Sequence, residues 1–525
     1  MCEEATVETL VKTGILGLDE VLMGGLPRNN NLIVEGAPGS GKTTLGLGFI
    51  YAGAAHYGEP GAIISFELDP QKLLRDAAGF NWPMQELIDA GTIKIIQTSP
   101  AVLLNEFRTS DGVLTSVLQE LGAKRLLIDG LTPIRLYAER HDIPFREDVH
   151  LLIEGLTRLG VTTMVTAEQD EGTNGVYPHE RFVFDTIISL TREEQHRRVH
   201  RRLTVLKSRG QEFIGGSHTM RIEKDVGIHV YRRAQSRPVT SDDQPTSSER
   251  LSTGSRAIDS MMDGGIYQGS VTMVTGISGT GKTVFGVQFL TSAIKAGHKT
   301  LLVSLDEHPR QLMRNAASLG FDIAGQVEAG NLFIHYESPL ELELDVHFDL
   351  IIKLVEEHGI DCVVFDSVAV YEMSSRDEVA DYLYALATFV KDRLATILFN
   401  YESPELLGIS QISEDLKGSH LVDNIILLNY VEISTQLRRA IAVPKVRGSR
   451  NPQVTREYVI GEGGLLLVDD EAAAEDPGTV PQLPFSSYYG LLSRSPSRTS
   501  PSIEVAVAQG KELPDSAELP VEPAS

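Results

Sequence analysis

The chain has 525 residues, enough for two to four domains, and 72 acidic against 47 basic side chains leave a net charge of −25. That balance argues against a protein that coats nucleic acid, although it leaves room for a local basic channel. Two cysteines, Cys2 and Cys362, provide no disulfide framework, and no apolar run approaches membrane-spanning length.

The N-terminus, MCEEATVETL, is acidic and lacks the apolar core of a signal peptide, so a cytoplasmic location is expected. Thr13-Gly-Ile-Leu-Gly-Leu-Asp and Gly24-Gly25 precede an apolar, strand-like run from Asn31. That run leads into GAPGSGKT at residues 36–43, which fits the phosphate-loop pattern G-x-x-x-x-G-K-[ST]. Gly36, Gly39 and Gly41 let backbone N–H groups close around phosphates, Lys42 supplies a point charge, and the Thr43 hydroxyl is placed to ligate Mg²⁺. A helical pattern over Thr44–Ala55 follows, so Thr44 belongs to the same nucleotide-binding set.

The next strand, Ala62-Ile-Ile-Ser-Phe, ends in Glu67-Leu68-Asp69. A carboxylate at this edge, Glu67 first, can polarise the water or hydroxyl that attacks a γ-phosphate. Leu126-Leu-Ile-Asp129 is an apolar strand ending in aspartate, a suitable partner for Thr43 in holding Mg²⁺. A helix over Glu147–Leu159 and a strand at Thr163-Met-Val-Thr complete the alternation, and a charged hairpin from Thr191 runs into Lys207 and Arg209. Residues 1–235 are therefore read as one domain, and the Pro-, Ser- and Asp-rich stretch 236–250 as a linker.

The same landmarks then recur. Thr253-Gly-Ser-Arg-Ala-Ile-Asp and Gly264-Gly265 lead to a strand from Val271 and to GISGTGKT at residues 276–283, 240 residues after the first loop. Gly276, Gly279, Gly281, Lys282, Thr283 and Val284 are its nucleotide-binding residues, with Thr283 again at the metal. A helical pattern covers Val284–Lys295. The strand Thr300-Leu-Leu-Val-Ser-Leu ends in Asp306-Glu307, where the first half has Glu67-Leu68, so the halves are expected to differ in activity. Cys362 stands inside the apolar run that ends at Asp366, predicting a buried thiol and a second metal aspartate. After the strand Thr396-Ile-Leu-Phe, a hairpin around Arg438-Arg439 runs into Lys445 and Arg447.

A period this long is a duplicated domain, not a solenoid. The second domain spans 251–468, and the Ala-, Glu-, Pro- and Ser-rich tail 469–525 is read as disordered. Apolar strands alternating with helices predict α/β halves, each a mostly parallel sheet covered by helices, with ligands at the carboxyl ends of the strands. The recurring Lys-x-Arg-Gly element suggests residues that reach a phosphate held by a neighbouring subunit, and hence a ring.

Tandem Thr-Gly-x-x-x-x-Asp, Gly-Gly, phosphate loop, apolar-Asp and Lys-x-Arg-Gly elements resemble the KaiC family of circadian-clock ATPases and autokinases, within the RecA-like phosphate-loop superfamily. The likeness runs from about Thr13 to Leu467, most specifically in Gln311-Leu-Met-Arg-Asn-Ala-Ala-Ser-Leu-Gly, Asp423-Asn-Ile-Ile-Leu-Leu-Asn-Tyr-Val-Glu-Ile and Lys207-Ser-Arg-Gly. The resemblance implies a double-ring homohexamer with ATP and Mg²⁺ at subunit interfaces. Its first ring is a slow ATPase, and its second ring phosphorylates a Ser-Thr pair on the neighbouring subunit.

Glu67, Asp306 and Glu307 match the family's paired glutamates, with Leu68 and Asp306 as departures. Counting back from Asp423, Ser419 matches the phosphoacceptor serine and His420 stands where the family has threonine. Within this chain Arg181 occupies the place of Ser419. The resemblance also allows a KaiB-like partner on the first ring. A KaiA-type activator is not expected, because residues after Leu467 share little with the family's tail. Two other readings stand beside the autokinase. One is an ATPase switch without phosphoryl transfer, for which His420 and Asp306 argue. The other is a DNA-handling motor, against which the net charge and the single tryptophan, Trp82, argue.

Overall fold

The computed structural model describes residues 10–108, 112–169, 181–195, 198–234, 245–373, 376–402, 421–433, 436–450 and 454–468. Cys2, Ser419, His420 and the tail from Asp469 lie outside the described residues. Each half is built on a nine-stranded sheet. Across the first sheet the strands are Ile93–Gln97, Gly61–Ser65, Arg125–Asp129, Thr162–Glu168, Asn31–Gly36, Thr186–Gln195, Arg198–Ser208, Ser217–Glu223 and Gly227–Tyr231. The first six run parallel and the last three are added antiparallel.

The second sheet repeats that order strand for strand. It comprises Leu332–Tyr336, Thr300–Ser304, Cys362–Asp366, Thr396–Glu402, Val271–Gly276, Asn424–Ile433, Gln436–Val446, Thr455–Gly461 and Gly464–Leu467. The predicted fold is therefore observed in both halves. Two more strands follow each charged hairpin, so the hairpins lie inside the sheets rather than closing them.

Asn31–Gly36 is buried along its whole length because helices cover both faces of the sheet. Side chains alternate: Leu32 and Val34 enter one apolar cluster, and Ile33 enters the cluster on the opposite face. Burying each such side chain contributes about 1.5–3 kcal/mol. Cys362 is fully buried in its strand, and burial pushes its thiol up, as expected of an inert core cysteine. Trp82 is buried against the first core and stacks on Tyr51 at 5.5 Å, so it is no platform for a nucleic-acid base.

The helices after the phosphate loops span Lys42–His56 and Lys282–Lys295, two residues earlier than the apolar pattern predicts. Gly41 (φ 109°) and Gly281 (φ 97°) adopt the left-handed conformation and turn the chain straight into the helix, so the lysine becomes its first residue.

The halves dock through charge. Thr219 donates to Asp345 Oδ2 from its N–H (3.2 Å) and its hydroxyl (2.8 Å), and the Ala234 N–H donates to Asp345 Oδ1 (3.2 Å). Arg221 Nε donates to Glu343 Oε2 at 2.7 Å. Both acceptors stand at the start of the second half's helix Leu344–His358.

Candidate functional site

Each phosphate loop lies at the carboxyl end of the central parallel strands and curls around its own lysine. Lys42 Nζ donates to the carbonyls of Gly36 (2.8 Å) and Ala37 (3.1 Å), and Lys282 Nζ to those of Gly276 (2.9 Å) and Ile277 (3.0 Å). A side chain at Gly36 would place its Cβ 2.4 Å from the carbonyl oxygen of Leu190, and one at Gly276 would come within 2.1 Å of that of Leu428. Only glycine lets the neighbouring strand approach there. The first-turn N–H groups, including those of Thr43, Thr44, Thr283 and Val284, have no partner within the helix and present its positive end. That is an anion seat.

Burial pushes both lysines below their ordinary value, an effect that acidic neighbours oppose. These are Glu168 and Asp129 for Lys42, and Glu402 and Asp366 for Lys282. Glu168 and Glu402 escaped the sequence reading. Each ends the strand beside the loop, paired in register with Gly36 or Gly276. The signal that could have found them is an acidic residue at the same place in both repeats.

The predicted metal pair is assembled in each half. The Thr43 hydroxyl lies 3.1 Å from Asp129 Oδ1, to which Thr166 Oγ1 also donates at 2.9 Å. In the second half Thr283 donates to Asp366, and Asn400 Nδ2 donates to Asp366 Oδ1 at 3.0 Å. Burial pushes both aspartates up, as for a carboxylate held ready for a cation. Hydroxyl and carboxylate oxygens facing a phosphate seat fit Mg²⁺, a hard ion that prefers oxygen ligands.

The carboxylates proposed as bases follow Ser65 and Ser304, whose strands pair in register with Asp129 and Asp366. The same turn recurs, with Ser65 Oγ donating to the Leu68 carbonyl (3.0 Å) and Ser304 Oγ to that of Glu307 (2.6 Å). Glu67 and Asp306 are exposed. Leu68 packs against the core, whereas Glu307 at that position accepts from Asn315 Nδ2 at 3.2 Å. Burial, with Asp366 close by, raises the Glu307 pKa. This shift moves a general base toward neutral working pH.

Lys207 and Arg209 lie at the opposite end of the sheet from their own loop. Lys207 is paired with Ile187 near the strand's beginning, whereas the loop follows the Gly36–Leu190 pair. Lys207 Nζ donates to the Phe184 carbonyl (2.6 Å) and Arg209 Nη2 to that of Phe182 (2.8 Å). Lys445 Nζ donates to the Val422 carbonyl (2.8 Å), and Arg447 pairs with Asp423 at 3.2 Å. None of these residues can meet the phosphate bound in its own half. Side chains that do touch the second loop include Tyr430, whose hydroxyl donates to the Gly279 carbonyl (2.7 Å), Arg439, which stacks on Tyr430 and donates to the same carbonyl from Nε (3.4 Å), and Tyr458, which donates to the Thr280 carbonyl. Sequence reading missed Tyr430 and Tyr458 because they come from two separate strands, Tyr430 from the sixth parallel strand and Tyr458 from the antiparallel extension.

In the first half, Arg181 grips the buried Glu35 with two bonds, Nε to Oε2 at 3.1 Å and Nη2 to Oε1 at 2.5 Å. Arg181 stands at the position that the repeat gives to Ser419. The repeat counterpart of Glu35 is Thr275, whose hydroxyl is buried and has no partner among the described residues.

The family model for the KaiC ATPase matches twice, over residues 11–235 and 251–472. The chain is 32% identical over 499 residues to the circadian clock oscillator protein KaiC of Prochlorococcus marinus subsp. pastoris, covering 93% of this chain and 94% of that one. It is 30% identical over 499 residues to the protein of that name from Thermostichus vulcanus, with 93% and 92% covered. Against the one from Synechococcus elongatus it is 29% identical over 497 residues, again with 93% and 92% covered. Among the described residues, no helix is long and apolar enough to cross a membrane.

Proposed function

The chain belongs to the KaiC ATPase family, and from that premise we propose that both halves bind and hydrolyse ATP and that the second also phosphorylates Ser419. The observation carrying this reading is the repeated geometry of lysine, threonine and aspartate around both loops. Thr43 with Asp129, and Thr283 with Asp366, would hold Mg²⁺. Bound there, the ion supplies positive charge against the phosphate oxygens.

In the first half, Glu67 takes the proton of a water that attacks the γ-phosphate in line, Lys42 stabilises the charge that develops, and ADP leaves as the bond from its β-phosphate oxygen to the γ-phosphorus breaks, in both halves alike. In the second half, the Ser419 hydroxyl of a neighbouring copy attacks instead. Glu307 is the better-placed base, with Asp306 beside it, and Lys282 takes the role of Lys42. Lys207, Arg209, Lys445 and Arg447 face away from their own loops, which supports a ring in which each copy offers them to its neighbour's phosphate. We take that ring to be a homohexamer acting as a clock or signalling component.

A second reading, an ATPase switch without phosphoryl transfer, draws support from Asp306, one methylene shorter than glutamate and exposed, and from His420 beside the acceptor. Purified protein incubated with Mg²⁺ and γ-labelled ATP separates the two. Label mapped to Ser419 and lost in Ser419→Ala and Lys282→Ala establishes the autokinase. Turnover without label leaves the switch.

A further inference from the structure

We propose that His335, Glu337 and His347 form a binding site for a divalent first-row transition metal of the Zn²⁺ class, separate from both nucleotide sites. His335 lies on the edge strand Leu332–Tyr336, Glu337 just past its end, and His347 in the first turn of helix Leu344–His358. One ligand atom from each falls within 4.8 Å of the others. His347 Nδ1 lies 2.7 Å from Glu337 Oε2, and His335 Nε2 lies 3.6 Å from the same oxygen. Bonds of about 2.0–2.2 Å to a tetrahedral Zn²⁺ place ligand atoms about 3.4 Å apart, so small side-chain movements suffice, and a water completes the shell.

Three independent features point to a ligand. First, His335 Nε2 is buried yet has no hydrogen-bond partner among the described residues. At 3.6 Å its contact with Glu337 is too long for a hydrogen bond, and a buried ring nitrogen left unsatisfied is costly in a core but open to a metal. Second, the ligand His347 is fully buried and backed by a chain of hydroxyls. Its Nε2 lies 3.1 Å from the Tyr371 hydroxyl, which lies 3.2 Å from that of Tyr382, both rings fully buried. When Nδ1 gives up its proton to bind metal, Nε2–H donates to the Tyr371 oxygen, which orients the ring as metal-bound histidines require.

Third, the site is peculiar to the second half. Strand register aligns His335 and Glu337 with Ile96 and Thr98 of the first half, neither of them a ligand of this kind. Two imidazoles with one carboxylate favour Zn²⁺ or Co²⁺ over Mg²⁺. The metal ties the edge strand to the start of the helix whose Glu343 and Asp345 receive the first half.

Co²⁺ is the probe. Full-length protein stripped of metal by a chelator, without nucleotide, is titrated with Co²⁺ while visible d–d absorption is recorded, and Zn²⁺ is then added to displace it. One tetrahedral-type Co²⁺ band per chain is expected. It should be abolished in His335→Ala and in Glu337→Gln and retained in Asp366→Asn. Tyr371→Phe should weaken binding about 10–100-fold. Far-UV circular dichroism establishes that each variant is folded, and His335→Gln serves if the alanine variant is not. Absence of the band at excess Co²⁺, or an undiminished band in folded His335→Ala or His335→Gln, overturns the site.

Discussion

Arg181 forms a two-bond ion pair with Glu35, which is wholly buried in the strand leading into the first phosphate loop. Counted along the repeat, Glu35 corresponds to Thr275 and Arg181 to Ser419. Removing the guanidinium alone would strand a buried carboxylate.

Removing that guanidinium should be costly. Arg181→Met leaves Glu35 buried without its partner, and we expect a loss of about 3 kcal/mol. The double change Glu35→Thr with Arg181→Ser, which copies the second half, should lose less. Urea unfolding of the three proteins compares them.

Lys42→Ala and Lys282→Ala should each silence one half. Each lysine is the main cation at its loop, so turnover at that site should fall about 10²–10³-fold. Nucleotide bound per chain, measured by equilibrium dialysis, should drop from two to one. Unchanged turnover in both variants would refute the assignment.

The pH dependence of the second half follows from Glu307. Burial, with Asp366 repelling it, raises its folded pKa above 4.5, and a base works only when ionised. Phosphoryl transfer should therefore be lost as pH falls through that raised value. The sign for stability is opposite. A carboxyl with a raised folded pKa opposes folding once ionised, so Glu307→Gln should unfold at an equal or higher temperature at pH 7 while losing the acid limb. A pH–rate profile paired with thermal unfolding tests both.

Asp345 is the hinge of the contact between halves, since it accepts from Thr219 twice and from Ala234 once. Asp345→Ala strands those donors and should cost about 2 kcal/mol. It should also separate the unfolding of the two halves, so a single calorimetric transition in the variant would sink this expectation.

The parts legible before the structure are those whose chemistry is local. Gly41 and Lys42 are neighbours, and a left-handed glycine followed by a lysine needs little else to make a loop. Asp129 and Asp366 were legible too, because an apolar run ending in aspartate announces a strand end. Glu168 and Glu402 were not, although both act on the loop lysines. Only comparison of the two repeats marks them, and it is the pairing with Gly36 and Gly276 that brings them to the loops. Lys207 and Lys445 were visible as a repeated motif, but the register that places them at the far end of the sheet was not.

By itself the sequence determined the duplication, the alternation of strand and helix, and both phosphate loops, since these rest on periodicity and on backbone freedom over a few residues. Tertiary structure alone decided how buried charge is compensated. Arg125 is fully buried in a strand, bonded to Glu59 and to the carbonyls of Phe49 and Lys12. Gly53 leaves it room, because a Cβ there would lie 2.4 Å from the arginine stem. Their counterparts in the repeat are Cys362 and Ala293, a small thiol against a methyl group. An ion pair between segments 66 residues apart has a strength set by distance and desolvation, which only the packed chain defines.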